Sequence, residues 1–494
     1  MAKALMVQGT GSHVGKSVIV AALCRILKRR GVKVAPFKAQ NMALNSFITP
    51  EGGEIGRAQA YQADAAGIPP SVLMNPVLLK ANSDTGAQVI VRGKVVGNMG
   101  VRQYHAYKDE AFRAVEDCYR ELSERFDVIV MEGAGSPAEI NLKASDIVNM
   151  KAAKMAGAKV LIAADIDKGG VFASILGTME ILDPDERDMV AGFLINKFRG
   201  DASLLKDGLD FVLARTGKPV LGVIPHFTGI HLQEEDGVAL DGHVDSGDGA
   251  IDIAVLRLGH ISNFTDFDPF AAEPGVRLRY VRGISDFGRP DLLIIPGTKN
   301  TVADLLELRG SGLERKTLEY LDRGGSLIGI CGGYQMLGRV ISDPLGVETD
   351  KGRVEGMGVL DVETTLYPDK VTTQVRAASI ADSSLGELTG YEIHMGRTSL
   401  GGGVRPLFSV RSGPDGPHDD GAMNADGSAW GTYLHGVFEN DRLRRSILDS
   451  LRASKGLDTQ DASTDYAVLK EEGLERLADL VEANVDMRTI LSLV

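Results

Sequence analysis

A chain of 494 residues has room for roughly two to four domains. With 44% apolar and 24% charged residues it can bury a core, which excludes a chain disordered as a whole. Its 54 lysines and arginines face 67 aspartates and glutamates, a net charge of −13 with no long basic run, so nucleic-acid binding by phosphate neutralisation is excluded. Continuous apolar runs at 4–7, 32–37, 127–131, 159–164, 190–195 and 219–224 predict strands buried on both faces. Amphipathic stretches between them, such as 16–30 and 113–125, predict crossover helices, and together these predict a parallel, doubly wound α/β sheet.

The polar, glycine-rich stretch 243–250 (HVDSGDGA) reads as a linker. After it the α/β pattern repeats, with strands predicted at 251–258, 291–295, 326–330 and 430–434 and a loop-like interruption at 404–428. A tail with helical spacing follows, which divides the chain into 1–242, the linker 243–250, 251–448 and a helical tail 449–494. The N-terminus has no charged segment followed by a long apolar stretch, and no run reaches about 18 apolar residues. A cytoplasmic protein with no membrane partner is the expectation; oligomeric state is not legible.

Residues 9–17 read GTGSHVGKS, directly after the first predicted strand and before the first helix. Backbone N–H groups of Gly9, Thr10, Gly11 and Gly15 can wrap a polyphosphate at a helix N-terminus. Lys16 then reaches the outer phosphates and the Ser17 hydroxyl ligates Mg²⁺. The strict GxxxxGK[ST] pattern needs glycine where Thr10 stands, with Gly9 one place earlier. Glu132 emerges at the carboxyl end of a predicted strand, where it can hold Mg²⁺ against the phosphates. Asn196 follows another strand and carries both a donor and an acceptor for a base edge. Asp165 and Asp167, also at a strand end, could serve Mg²⁺, substrate or a turn. Gln40 and Asn41, in the polar loop after the second strand, are candidates for substrate contact or for loop capping.

In the second half LIGICGGYQMLG runs from an apolar strand through GxCxG into a helix. This is the thiol counterpart of a nucleophile elbow, with small flanking residues permitting a strained turn that exposes Cys331. Cys24 and Cys118 lie within helical patterns and are expected to be inert, and three widely spaced cysteines make neither a disulfide framework nor a zinc knuckle. A cysteine nucleophile needs a base, and His435, at the end of an apolar strand, is the best placed of nine histidines. Gly297, after another strand, can offer an N–H to an oxyanion alongside the elbow N–H of Gly332. The group that orients His435 stays open; Glu439 is near it in sequence.

Cys331, Gly333 and Gln335 with the distant His435 resemble the C-x-G-x-Q motif of class I glutamine amidotransferases, which implies a flavodoxin-like domain. The resemblance implies that Cys331 attacks the glutamine amide, that His435 shuttles the proton and that Gln335 helps hold glutamine. That family places a glutamate two residues after the histidine, where this chain has Val437. The first half, with GTGSHVGKS and MEGAGSPAEINL, resembles P-loop ligases of the dethiobiotin synthetase type. The order of the halves, with KAQNMALNS, DIDKGGVF, NKFRGD and GYEIHMGRT, is similar to the cobyric acid synthase family.

That likeness implies ATP- and Mg²⁺-dependent amidation of four peripheral carboxylates (b, d, e and g) of adenosylcobyrinic acid a,c-diamide, a step of cobalamin biosynthesis. It makes glutamine, ATP and a corrinoid acid the small-molecule partners, and Gln40, Asn41, Tyr391 and His394 substrate candidates. The related a,c-diamide synthases carry acidic residues where Gln40, Asn41 and Asn45 stand here. The alternatives are that sister activity, another glutamine-dependent amidoligase such as a cell-wall ligase, or a P-loop switch ATPase with a binding module.

Overall fold

A computed structural model describes residues 2–83, 86–229, 249–411, 416–459 and 464–494. All six strands predicted in the first half form, and they make one parallel sheet. Its spatial order is Val220–Pro225, Val190–Phe198, Lys159–Asp165, Lys3–Gly9, Val128–Glu132 and Val34–Phe37. Apolar layers cover both faces of this sheet, which is why its strands read as unbroken apolar runs. The helix Lys16–Arg29 packs on one face, while Val101–Ser123, starting well before the predicted 113, packs on the other.

The segment between the second strand and that long helix, which shows only a polar loop in the sequence, holds six further strands. Gln40–Met42, Val77–Ser83, Gly86–Val91 and Lys94–Gly100 make a four-stranded mixed sheet. Ser46–Ile48 and Glu54–Gly56 make a hairpin beside it. Register shifts at Ala81/Ser83 and Val89/Ile90 break the alternation that would have announced the longer strands.

In the second half Val276–Val281, Ile251–Leu256, Leu292–Ile295, Ser326–Ile330 and Ala429–Thr432 form a parallel sheet, extended by antiparallel Ala422–Asn424 and Val404–Arg405. The expected loop at 404–428 is thus corrected. Besides those two edge strands it carries Phe408–Val410 and His418–Asp420, each too short to show a period. The single strand expected at 430–434 is in fact two. The chain leaves the parallel sheet at Thr432, and Leu434–His435 pairs with a long hairpin, Val362–Ser379 and Glu387–Leu400. Of the expected linker, residues 243–248 lie outside the described residues.

The tail is helical. Tyr466–Asn484 returns to the first half and docks on Lys16–Arg29. Leu474, Leu477 and Val481 enter the apolar layer there, while buried Arg25 meets Glu471 at 2.6 Å. Among the described residues no helix is long and apolar enough to cross a membrane.

Candidate active site

Each half carries one centre. At the first, the loop 9–17 curls over the carboxyl end of the sheet. Gly15 is left-handed (φ 95°), and a Cβ there would lie 2.1 Å from Asn196 Nδ2, so only glycine fits. A Cβ on Gly9 would crowd Gly11 O at 2.9 Å and Lys16 Nζ at 3.0 Å, whereas one on Gly11 would meet open space. Lys16 is buried and donates to Gly11 O at 2.9 Å and Gly135 O at 3.1 Å, which aims its ammonium into the loop. The Thr10 N–H is not available to a phosphate, because it donates to Ala163 O at 2.9 Å. Asn196 spends its Nδ2 on Val14 O at 2.9 Å, while its buried Oδ1 has no partner and is left to accept a hydrogen bond.

Ser17 Oγ donates to Glu132 Oε1 at 2.8 Å, so the hydroxyl and carboxylate expected to share Mg²⁺ do meet. A hard cation with oxygen ligands fits this donor set. The sequence reading missed the other groups on Glu132: Lys38 Nζ at 2.9 Å and Gln62 Nε2 at 2.5 Å. Burial alone would raise the Glu132 carboxyl, but the Lys38 ammonium and the three hydrogen bonds hold it below the ordinary carboxylate range. Lys38 directly follows the second strand of the sheet, a position at which a loop lysine carries no signal until the sheet order is known. Asp165 pairs with Lys197 at 2.9 Å and accepts the Asp167 N–H at 2.8 Å, and Arg199 meets Asp167 at 3.1 Å.

At the second centre the strand Ser326–Ile330 ends in Cys331, whose backbone is strained (φ 51°, ψ −107°), as an elbow requires. The flanking glycines permit the close approach: a Cβ on Gly333 would lie 2.0 Å from Ile295 O, and one on Gly329 2.8 Å from Gly333 O. His435 is buried and lines the same pocket as Cys331, whose Sγ donates to Ile393 O at 3.5 Å. Its Nδ1 lies 2.6 Å from Asp266 Oδ2, so Asp266 fills the position left open in the sequence. Glu439 does not orient the histidine; it pairs with Arg57 at 3.0 Å and Lys470 at 3.2 Å. Burial pulls the His435 imidazolium down, but Asp266 and Cys331 outweigh it and hold the ring at about 10. Asp266 lies in FTDF, where a buried acid between Phe264 and Phe267 is the signal that it needs a partner.

Gly297 adjoins the pair, since a Cβ there would lie 3.1 Å from His435 Cε1. Gly332 packs as tightly on Thr298, and Gln335 lines the same pocket, held by Thr301 Oγ1 at 2.9 Å and Tyr433 at 3.2 Å. Burial pushes the Cys118 thiol up to about 11 and that of Cys24 further, in keeping with inert side chains.

The four substrate candidates do not form one surface. Gln40 accepts from Tyr104, and Asn41 is buried with Nδ2 2.9 Å from Gln59 Oε1, both within the nucleotide-binding half. Tyr391 is instead buried at the cysteine centre, stacked on His435 with ring centroids 5.3 Å apart, and His394 stacks there on Tyr433 at 3.9 Å. A strand period cannot say which end of a long hairpin reaches which centre.

The hairpin Ser46–Ile48/Glu54–Gly56 of the first half reaches the cysteine centre, and the helix Arg57–Ala66 that follows it carries Gln62 to Glu132. Ser46 N donates to Asn263 Oδ1 at 2.9 Å, Asn263 Nδ2 lies 3.4 Å from His435 Nδ1, and Tyr391 donates to Ser46 O at 3.3 Å.

Comparison with known proteins assigns each half to a domain family. The CobQ/CobB/MinD/ParA nucleotide binding domain matches residues 5–240, and the CobB/CobQ-like glutamine amidotransferase domain matches residues 252–443. The cobyric acid synthase of Moorella thermoacetica is 52% identical, over 99% of this chain and 96% of that one. This chain belongs to the cobyric acid synthase family. The Pelotomaculum thermopropionicum member is 50% identical over 100% of this chain and 97% of its own, and the Yersinia enterocolitica member 51% over 99% and 97%. The family's role is cobyric acid synthesis, and this chain is accordingly an enzyme, a glutamine amidotransferase ligase with a nucleotide-binding half, rather than a switch ATPase.

Proposed function

We propose that the chain amidates the b, d, e and g carboxylates of adenosylcobyrinic acid a,c-diamide, using ATP and ammonia cut from glutamine. The observation that carries this reading is the presence in one chain of a Cys331–His435–Asp266 arrangement and a Lys16–Ser17–Glu132 phosphate site.

At the cysteine centre, His435 holds the proton of Cys331 and the thiolate attacks the side-chain amide carbon of glutamine. Backbone N–H groups at Gly297 and Gly332 take the charge that develops on the amide oxygen. His435 returns the proton to the departing nitrogen and ammonia leaves. Water then cleaves the thioester, giving glutamate and the free thiol. Asp266 keeps the imidazole in one orientation throughout.

At the phosphate centre a corrinoid carboxylate attacks the γ-phosphorus of ATP, releasing ADP and forming an acyl phosphate. Ammonia attacks the acyl carbon and phosphate leaves with the C–O electrons. Lys16 and Lys38 stand where they can meet the transferred phosphoryl group. Ser17 and Glu132 would hold Mg²⁺, which would supply further charge neutralisation there. The unpartnered Asn196 Oδ1 is placed to accept from the nucleotide base. Released ammonia must reach the acyl phosphate before water does, which a junction closed by buried side chains favours.

The test is incubation with ATP, Mg²⁺, glutamine and adenosylcobyrinic acid a,c-diamide, followed by mass spectrometry of the corrinoid. Each OH-to-NH₂ exchange lightens it by the same small step, and four steps are expected. An unchanged corrinoid with glutamate still released would overturn the substrate while leaving the glutaminase reading in place.

A further inference from the structure

The pocket in front of Cys331 is built from both halves of the chain. Lys299 and Lys370 line it from the amidotransferase half, and Lys80, on the strand Val77–Ser83, lines it from the nucleotide-binding half. Three ammonium groups thus face one pocket in which Glu348 is the only carboxylate lining the wall among the described residues. Behind the wall the fully buried Glu54 receives Lys80 at 2.9 Å and Lys370 at 2.5 Å. Lys80 also donates to Ser46 Oγ at 3.0 Å and Lys370 to Gln88 Oε1 at 3.3 Å. An ammonium group has three donors, so after two bonds each of these lysines keeps one for the pocket. Burial pushes Lys370 down to about 8 against the pull of Glu54, and the neighbouring Lys80 and Lys299 push the same way. Lys299 is lowered too, by burial and then by Lys80. Such crowding of cations is relieved by an anion placed among them.

We propose that the glutamine pocket is completed across the junction, with Lys80, Lys299 and Lys370 receiving the α-carboxylate of glutamine while its side-chain amide lies at Cys331. The assignment rests on the glutaminase reading of Cys331 and adds what distinguishes glutamine from other amides. Glu348, held by the Thr301 N–H at 2.8 Å, is then the group facing the α-ammonium. Glu54 is a positioning residue, which keeps two lysines from the two halves aimed at one point. The nucleotide-binding half therefore contributes to glutamine selection.

The experiment measures glutamate release by the full-length protein from glutamine, and ammonia release from both glutamine and its α-amide, in which a carboxamide replaces the α-carboxylate. Losing one charged hydrogen bond corresponds to roughly a 10- to 100-fold effect. The wild type should favour glutamine over the α-amide by that order, through KM. Lys299→Met, Lys370→Met and Lys80→Met should raise the glutamine KM by about that factor, change kcat little, and leave the α-amide KM where it was. Lys80→Met and Lys370→Met strip a partner from buried Glu54, so each is also made with Glu54→Gln and checked by thermal melting. Lys299→Met disturbs no ion pair of Glu54 and decides the matter should the others not fold. A preference for glutamine that is undiminished in Lys299→Met and in the folded variants overturns the proposal. A wild type that releases no glutamate overturns the glutaminase reading instead.

Discussion

Asp266 Oδ2 lies 2.6 Å from His435 Nδ1, while its other oxygen accepts the Gly436 N–H at 3.0 Å. Both carboxylate oxygens are therefore committed, one to the ring and one to the backbone beside it, so the ring is held in a single direction with Nδ1 toward the carboxylate. Asp266→Asn keeps the shape but offers Nδ1 the wrong donor or acceptor. Glutamine-dependent kcat is expected to fall by about 10²- to 10⁴-fold, with ammonia-dependent synthesis retained. Equal loss of both activities would show that Asp266 holds the fold rather than the histidine.

The same pair gives a pH signature. Asp266 and Cys331 lift His435 from its ordinary 6.5 to about 10, over the opposing effect of burial. The folded protein thus binds this proton more tightly than the unfolded chain. Its contribution to stability is fully present below about 6.5 and is lost as pH rises towards 10. Urea denaturation of wild type and Asp266→Asn should give a stability gap that narrows across that interval. A gap that stays constant from pH 6.5 to 10 would contradict the ion pair.

The six strands of the first sheet and the elbow cysteine were legible because each is signalled locally, by an unbroken apolar run or by glycines spaced around one residue. Asp266 was not, because the acid that serves His435 comes from a segment far away in sequence, and the side-by-side packing of Ile251–Leu256, Leu292–Ile295, Ser326–Ile330 and Ala429–Thr432 in one sheet brings them together. Residues 40–100 were opaque for another reason. Gln40–Met42, Ser46–Ile48 and Glu54–Gly56 are too short to show a period, and the longer Val77–Ser83 and Gly86–Val91 are bulged and carry Lys80 and Gln88 at buried positions.

The two centres should separate by mutation. Cys331→Ser removes the nucleophile at a site distant in fold from the phosphate loop, so glutamine-dependent amidation is expected to vanish while ammonium salts still support it. Lys16→Ala removes the charge held over Gly11 O and Gly135 O, and both activities should be lost. Amidation that persists in Lys16→Ala with either nitrogen source would refute the phosphate-loop assignment.

The elbow is a packing device as well as a chemical one. A methyl group on Gly333 would sit 2.0 Å from the backbone oxygen of Ile295, which belongs to the sheet and cannot retreat. Gly333→Ala should therefore destabilise the protein by the upper part of the roughly 1–3 kcal/mol typical of overpacking, or more. A denaturation midpoint equal to that of wild type would mean the helix Gly332–Leu337 slides freely on its strand.

At Glu132 stability and phosphate chemistry meet. It is 1% exposed, with Lys38 buried against it, and Lys38, Gln62 and Ser17 all donate to it. Glu132→Gln leaves the Lys38 ammonium buried without its counter-charge, which should cost about 3–5 kcal/mol. Because the wild-type carboxyl is held below its ordinary 4.5, its contribution is present above that pH and drains away as pH falls. The stability gap between wild type and Glu132→Gln should then close on acidification, which urea melts at several pH values will read. Adding Lys38→Met removes the stranded charge, so the double variant should recover most of the lost stability yet none of the ATP-dependent activity. If the double variant were as unstable as Glu132→Gln alone, the loss would come from Gln62 and Ser17 rather than from the buried ion pair.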